Sequence, residues 1–186
     1  MPVKTLTNDT YADSAAFLAK HVGFGGQDPI PTGQDSLSRF VRASSLALGD
    51  PTEPVPTSAF AILDSVSQGV GSPWNIVHRP TKGRTHFRTY DAKSIKYVEL
   101  ASFDLDCTSP MMILDIDTKP EGDAASRFAE YDKATNKALI EKSLGDIIDE
   151  LPPGAVNVLA SYPGALKCTL GQGGGGGGPG GGGAGG

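Results

Sequence analysis

Four short runs rich in β-branched and aromatic residues follow one another in the middle of the chain: NIVHR (75–79), THFRTYD (85–91), IKYVEL (95–100) and MMILDID (111–117). The gaps between them are too short for helical crossovers, so the spacing permits a meander of antiparallel hairpins. From Trp74 to Leu114 the hydrophobic period is near two, and Pro80-Thr81-Lys82-Gly83 and Asp91-Ala92-Lys93-Ser94 supply turn chemistry. A four-stranded meander is the expectation. His86, Arg88 and Tyr90 should face one side and Phe87 and Thr89 the other, with Trp74, Tyr90 and Tyr97 packing in the core or across strands.

The flanking segments change to a helical period. DSLSRFVRASSLALG (35–49) places Leu37, Phe40, Val41, Ser44 and Leu48 on one face, with Asp35 or Ser36 as the cap and Gly49 as the stop. The prolines of DPTEPVP (50–56) bar helix until Thr57, where Thr57 or Ser58 caps a second helix using Phe60, Ile62, Leu63 and Val66 and ending near Gly69. A helix pair packed on an antiparallel sheet is an α+β arrangement. Before the pair, Val3–Leu6 reads as the end of a strand, and a short helix runs from Thr10 or Asp13 to His21. VGFGGQDPIPTGQ (22–34) reads as a loop. Beyond the strands, Ala124 to Leu151 reads as a helix weakened at Gly145 and ended by Pro152-Pro153-Gly154. AVNVLASY (155–162) reads as a strand without an evident partner.

Arg39 and Arg42 stand three apart and share one face of the 35–49 helix. Guanidiniums at the head of a buried helix need an anion or carbonyl oxygens, because arginine does not shed its charge. The alternative is two solvated surface charges.

Composition narrows the function classes. A net charge of −5 and no basic block argue against a nucleic-acid partner. No run approaches a membrane span, and MPVKTLTNDT lacks a secretory signal, which makes the cytoplasm the default location. GQGGGGGGPGGGGAGG (171–186) has no side chain with which to bury apolar area and is expected to be disordered. Cys107 and Cys168 show no metal-ligand spacing and read as idle thiols, with a disulfide between them left open. His21, His78 and His86 are scattered, and Asp104, Asp106, Asp115 and Asp117 read as a solvated face of two strands. No cofactor and no metal are expected.

Taken in order, LTN (6–8), SRFVRAS (38–44) and HFRTYDAKSIKYVEL (86–100) resemble the C-terminal half of the choloylglycine hydrolase family, which includes bile-salt hydrolases and penicillin V acylases. The resemblance covers roughly residues 3 to 140. It implies part of an N-terminal-nucleophile (Ntn) hydrolase αββα sandwich, acting on linear, non-peptide C–N amide bonds. In that family a cysteine at the mature N-terminus attacks the carbonyl, its α-amine serves as base, and preorganised donors hold the oxyanion. The resemblance carries two catalytic positions onto this chain, Asn8 and Arg39, and assigns Arg42 to structural support. Asn8 also suits an Asx-turn or helix cap. The proline that the family places shortly after this asparagine is absent from Asp9-Thr10-Tyr11.

The attacking group is the larger departure. No cysteine precedes Cys107, which lies mid-chain and owns no free amine. The expectation is a hydrolase-like chain, inactive alone, that supplies oxyanion and substrate-positioning groups and takes a small amide substrate once a nucleophile-bearing half completes it. A front half could also carry an export signal. The alternative is a non-catalytic remnant or binding module of the same family, with homo-oligomerisation open. The expected organisation is a partial domain over 1–151, a segment without assignment over 152–170, and the glycine tail over 171–186.

Overall fold

The computed structural model describes residues 3–49, 54–106 and 108–166. The expectations for Cys107, Cys168, the glycine tail and the first part of the proline turn lie outside these residues. Three helices come first: α1 (Tyr11–Leu18), α2 (Ser36–Leu48) and α3 (Thr57–Ser65). Next are β1 (Trp74–Arg79), β2 (Arg84–Thr89), β3 (Lys96–Glu99), β4 (Met112–Ile113), β5 (Gly122–Asp123) and β6 (Ala129–Glu130), then α4 (Lys133–Leu144) and α5 (Ala155–Ala165). The class is α+β, as expected. No helix among the described residues is long and apolar enough to cross a membrane.

The chain divides into two compact units, Met1–Phe103 with Leu114–Phe128, and Asp104–Ile113 with Ala129–Gly186. In the first unit the helical core gathers on α2. Phe40 and Val41 are fully buried against Leu18 and Val3, with Phe17, Phe24 and Ile30 packed around them. Burying each such side chain contributes about 1.5–3 kcal/mol. The α2 boundaries follow from local chemistry: the Asp35 carboxylate accepts the Ser38 N–H at 2.9 Å, and Gly49 ends the helix. Leu48, expected on the buried face, is exposed in the last turn.

The caps expected for α3 are not used. Pro56 occupies the N-cap, and the Pro54 and Pro56 carbonyls receive the Ser58 and Phe60 N–H groups, so the helix starts on residues whose missing N–H costs nothing. It also ends at Ser65, short of Gly69, and the Ser65 carbonyl accepts Arg42 Nε at 2.9 Å. Val3–Leu6 forms no strand among the described residues. Val3 and Thr5 are buried while Lys4 and Leu6 are exposed, so it is an extended segment without a ladder.

The sheet order is β1-β2-β3-β5. β1 to β3 form the expected antiparallel hairpins, with Ile76 opposite Phe87 and Phe87 opposite Lys96. The fourth place is not taken by the MMILDID run. β5 pairs there in parallel with β3, whereas β4 pairs with β6 in the second unit. Side-chain turns redirect the intervening chain: Asp104 accepts the Asp106 N–H and Asp106 accepts the Thr108 N–H, each at 3.0 Å.

In the second unit the expected 124–151 helix begins only at Lys133, where the Asp132 carboxylate caps it by accepting the Thr135 N–H at 2.7 Å. A short turn at Ala125–Arg127 and β6 precede it, and Gly145 ends it. AVNVLASY is helix, not strand. Val156, Ala160 and Pro163 recur at helical spacing on the less exposed side, and the Ala160 carbonyl receives Tyr131 Oη and, at 3.3 Å, Asn136 Nδ2.

Candidate functional site

Ser36, in the first turn of α2, holds the segment around Asn8. Its hydroxyl donates to Thr7 Oγ1 and accepts the Asp9 N–H, both at 3.0 Å. Asn8 lies between these contacts in an exposed bend. Arg39 follows Ser36 by three residues, which sets both on one face of α2 one turn apart. The two sequence-derived residues are thus linked through a short chain of contacts, Asn8's neighbours to Ser36 and Ser36's helix to Arg39. Asp35 stands at the same helix end. The Ser38 hydroxyl, at 2.6 Å, and the Ser38 N–H hold its carboxyl below the usual carboxylate range.

The two arginines do different things. Arg39 is half-buried and donates from Nε to the Gln34 carbonyl at 3.1 Å. Arg42 donates to three carbonyls, Nε to Ser65 at 2.9 Å and Nη1 to Pro31 at 3.1 Å and to Gly33 at 2.5 Å. Its Nη2 is buried without a partner among the described residues. Arg42 is therefore no solvated charge; it ties the loop before α2 to the end of α3. Arg39 is left as the guanidinium of the pair with fewer internal partners.

The other residue groups do not converge. His21 is buried and bonded through Nδ1 to the Phe17 carbonyl at 3.0 Å, and His78 Nδ1 meets Thr85 Oγ1 at 3.0 Å. His86 is buried with both ring nitrogens unpartnered, and burial, then the charges of Arg84 and Arg79, push its pKa down. The four aspartates are not on strands: Asp104, Asp106 and Asp115 each accept a backbone N–H two residues on. Among the described residues no three His, Cys, Asp or Glu side chains gather as a metal site.

Sequence reasoning missed an apolar groove of about 390 Å³ on one sheet face, lined by Trp74, Ile76, Phe87, Leu114, Ile116 and Phe128. Trp74, expected in the core, is 58% exposed there. The alternation of β1 and β2 holds the signal, since Trp74 lies opposite Thr89 and Ile76 opposite Phe87 on one face.

The fold is similar to that of a penicillin V acylase. The match is to the enzyme from Agrobacterium tumefaciens, with a TM-score of 0.55 and 22% identity over 68% of this chain and 47% of that one. This chain thus spans about half the length of the solved acylase it matches. No family model matches the sequence, and no curated protein matches it.

Proposed function

We propose that this chain contributes the oxyanion- and substrate-positioning side of a linear-amide hydrolase site of the choloylglycine hydrolase type. Asn8 and Arg39 are its functional side chains. The observation that carries the reading is the Ser36 clasp, which ties both neighbours of Asn8 to the helix turn that bears Arg39. The likeness to the acylase fold and the LTN and SRF motifs support it. The Asn8 side-chain NH₂ is a neutral donor suited to a tetrahedral oxyanion, and Arg39 is a fixed cation suited to a substrate carboxylate or carbonyl. Neither Cys107 nor Cys168 is an N-terminal residue with a free α-amine beside its thiol, so in this reading the attacking thiol comes from outside this chain. The partial domain over 1–151 is the part that serves this site.

The test has two arms. The chain alone is assayed for hydrolysis of phenoxymethyl penicillin and of a conjugated bile salt, and its binding of the same compounds is measured by calorimetry. Binding without turnover, weakened about tenfold or more by Asn8→Ala or Arg39→Ala, is the expected result; a tenfold loss corresponds to about 1.4 kcal/mol. Turnover by the chain alone would overturn the requirement for an outside thiol. Binding indifferent to both substitutions would remove Asn8 and Arg39 from the site.

A further inference from the structure

The hydrogen-bond phase of the first hairpin identifies which backbone groups of β1 are left over. Tyr90 N–H donates to the Pro73 carbonyl at 2.9 Å, and residues 73 and 90 continue the register that pairs Trp74 with Thr89. Hydrogen-bonded and non-hydrogen-bonded pairs alternate along an antiparallel ladder. Asn75, Val77 and Arg79 therefore bond to β2, while the N–H and C=O groups of Trp74, Ile76 and His78 point away from it. β1 has β2 as its one neighbour in the sheet among the described residues. The one formal charge within β1 is Arg79 at its end, and the strand carries no lysine, no acidic residue and no internal proline. The side chains of the same three residues share the groove face, where Trp74 is 58% and Ile76 45% exposed.

We infer that two copies of this chain pair antiparallel along β1, about a two-fold axis at Ile76. The three outward-facing residues are symmetric about Ile76, so the edge is complementary to itself. Ile76 meets Ile76 and Trp74 meets His78, and each pair exchanges both N–H···O=C bonds. Asn75 falls opposite Val77 and Arg79 opposite Pro73, so no like charges meet. A register centred on Val77 would set Trp74 against Pro80, which has no N–H to give. The Asn75 side chain already bonds the Trp74 carbonyl at 2.9 Å, and a carbonyl has a second lone pair for the His78 N–H. Pairing also covers Ile76 with its own counterpart and Trp74 with His78 of the second copy, and joins the two grooves edge to edge.

The experiment uses the full chain, with mass measured by light scattering across a dilution series. A dimer that Ile76→Pro weakens at least about tenfold is expected, because the Ile76 N–H is not used by β2 and proline is tolerated at such an outward position. Ile76→Cys in a Cys107→Ser, Cys168→Ser background gives an independent reading that does not depend on how well the proline variant folds. Directly opposed hydrogen-bonded residues lie about 5.5 Å apart at Cα, within disulfide reach. Oxidation should therefore yield a crosslinked dimer, and Val77→Cys should not. A monomer at every concentration overturns the inference. So does a dimer that survives Ile76→Pro and resists the Ile76→Cys crosslink, which would place the contact on another surface.

Discussion

The guanidinium of Arg88 on β2 stands 4.7 Å from the ring centroid of Phe60 on α3. The same side chain pairs with Asp64 on α3 and reaches Asn75 Oδ1 on β1 at 3.4 Å. One residue thus fastens α3 to two strands.

Arg88→Ala is expected to lower stability by about 1–2 kcal/mol, through the lost ring contact and the lost packing of its stem. Asp64→Ala should cost under about 1 kcal/mol, because Asp64 is 61% exposed and its pair is screened. Urea unfolding of both variants separates the contributions. Equal losses would assign the whole effect to the ion pair.

His86 should make stability pH-dependent. Burial foremost, then Arg84 and Arg79, lower its pKa from the ordinary 6.5. The unfolded chain therefore takes up a proton near 6.5, while the folded chain does so only at lower pH. The stability this group contributes is complete above 6.5 and is lost as pH falls from there to the folded value, at up to about 1.4 kcal/mol per pH unit. His86→Phe should flatten that limb in unfolding curves taken between neutral and mildly acidic pH. An unchanged slope would assign the acid sensitivity to other groups.

Lys96 is fully buried, donates to the Ala92 carbonyl at 3.2 Å and lies 5.6 Å from the Phe87 ring. Burial lowers its pKa, with Asp117 opposing. Stability should therefore rise with pH on the alkaline side, where the folded chain sheds a proton that the unfolded chain still holds. The Ala92 carbonyl also accepts the Thr89 N–H at 3.1 Å, so removing the ammonium leaves no orphaned acceptor. Lys96→Met is expected to stabilise the protein by about 1–3 kcal/mol and to remove the alkaline rise, as thermal unfolding across pH would register. A lower melting temperature would show that the fold depends on the charge.

What could be read in advance was what local chemistry decides. Asp35 and Gly49 bound α2 because a cap and a stop act within a turn, and β1 to β3 follow from a two-residue period between turn residues. The parallel pairing of β5 with β3 escaped because a two-residue ladder leaves no periodic trace. α5 departs from the strand expected at 155–162 because Val156 and Val158 favour strands in isolation, whereas its hydrogen bonds to Tyr131 and Asn136 belong to a packed helix. At the candidate site, Asn8 and Arg39 rest on motif order and are proposals. Spacing could not reveal Ser36 as the residue tying the Asn8 bend to α2, nor Trp74 as a surface residue.

Arg42 carries a consequence for how this fold tolerates change. All three of its acceptors are main-chain oxygens, so the contact is indifferent to the side chains at Pro31 and Ser65. Those positions can drift while the clamp persists. Gly33 is held for a different reason, since a methyl group there would come within 2.6 Å of the Asp35 carboxylate. Lysine cannot reproduce a planar fork reaching three oxygens, so the constraint falls on the arginine alone. In a set of homologues, Arg42 should stay invariant with no partner column varying in step, a physical coupling invisible to covariation.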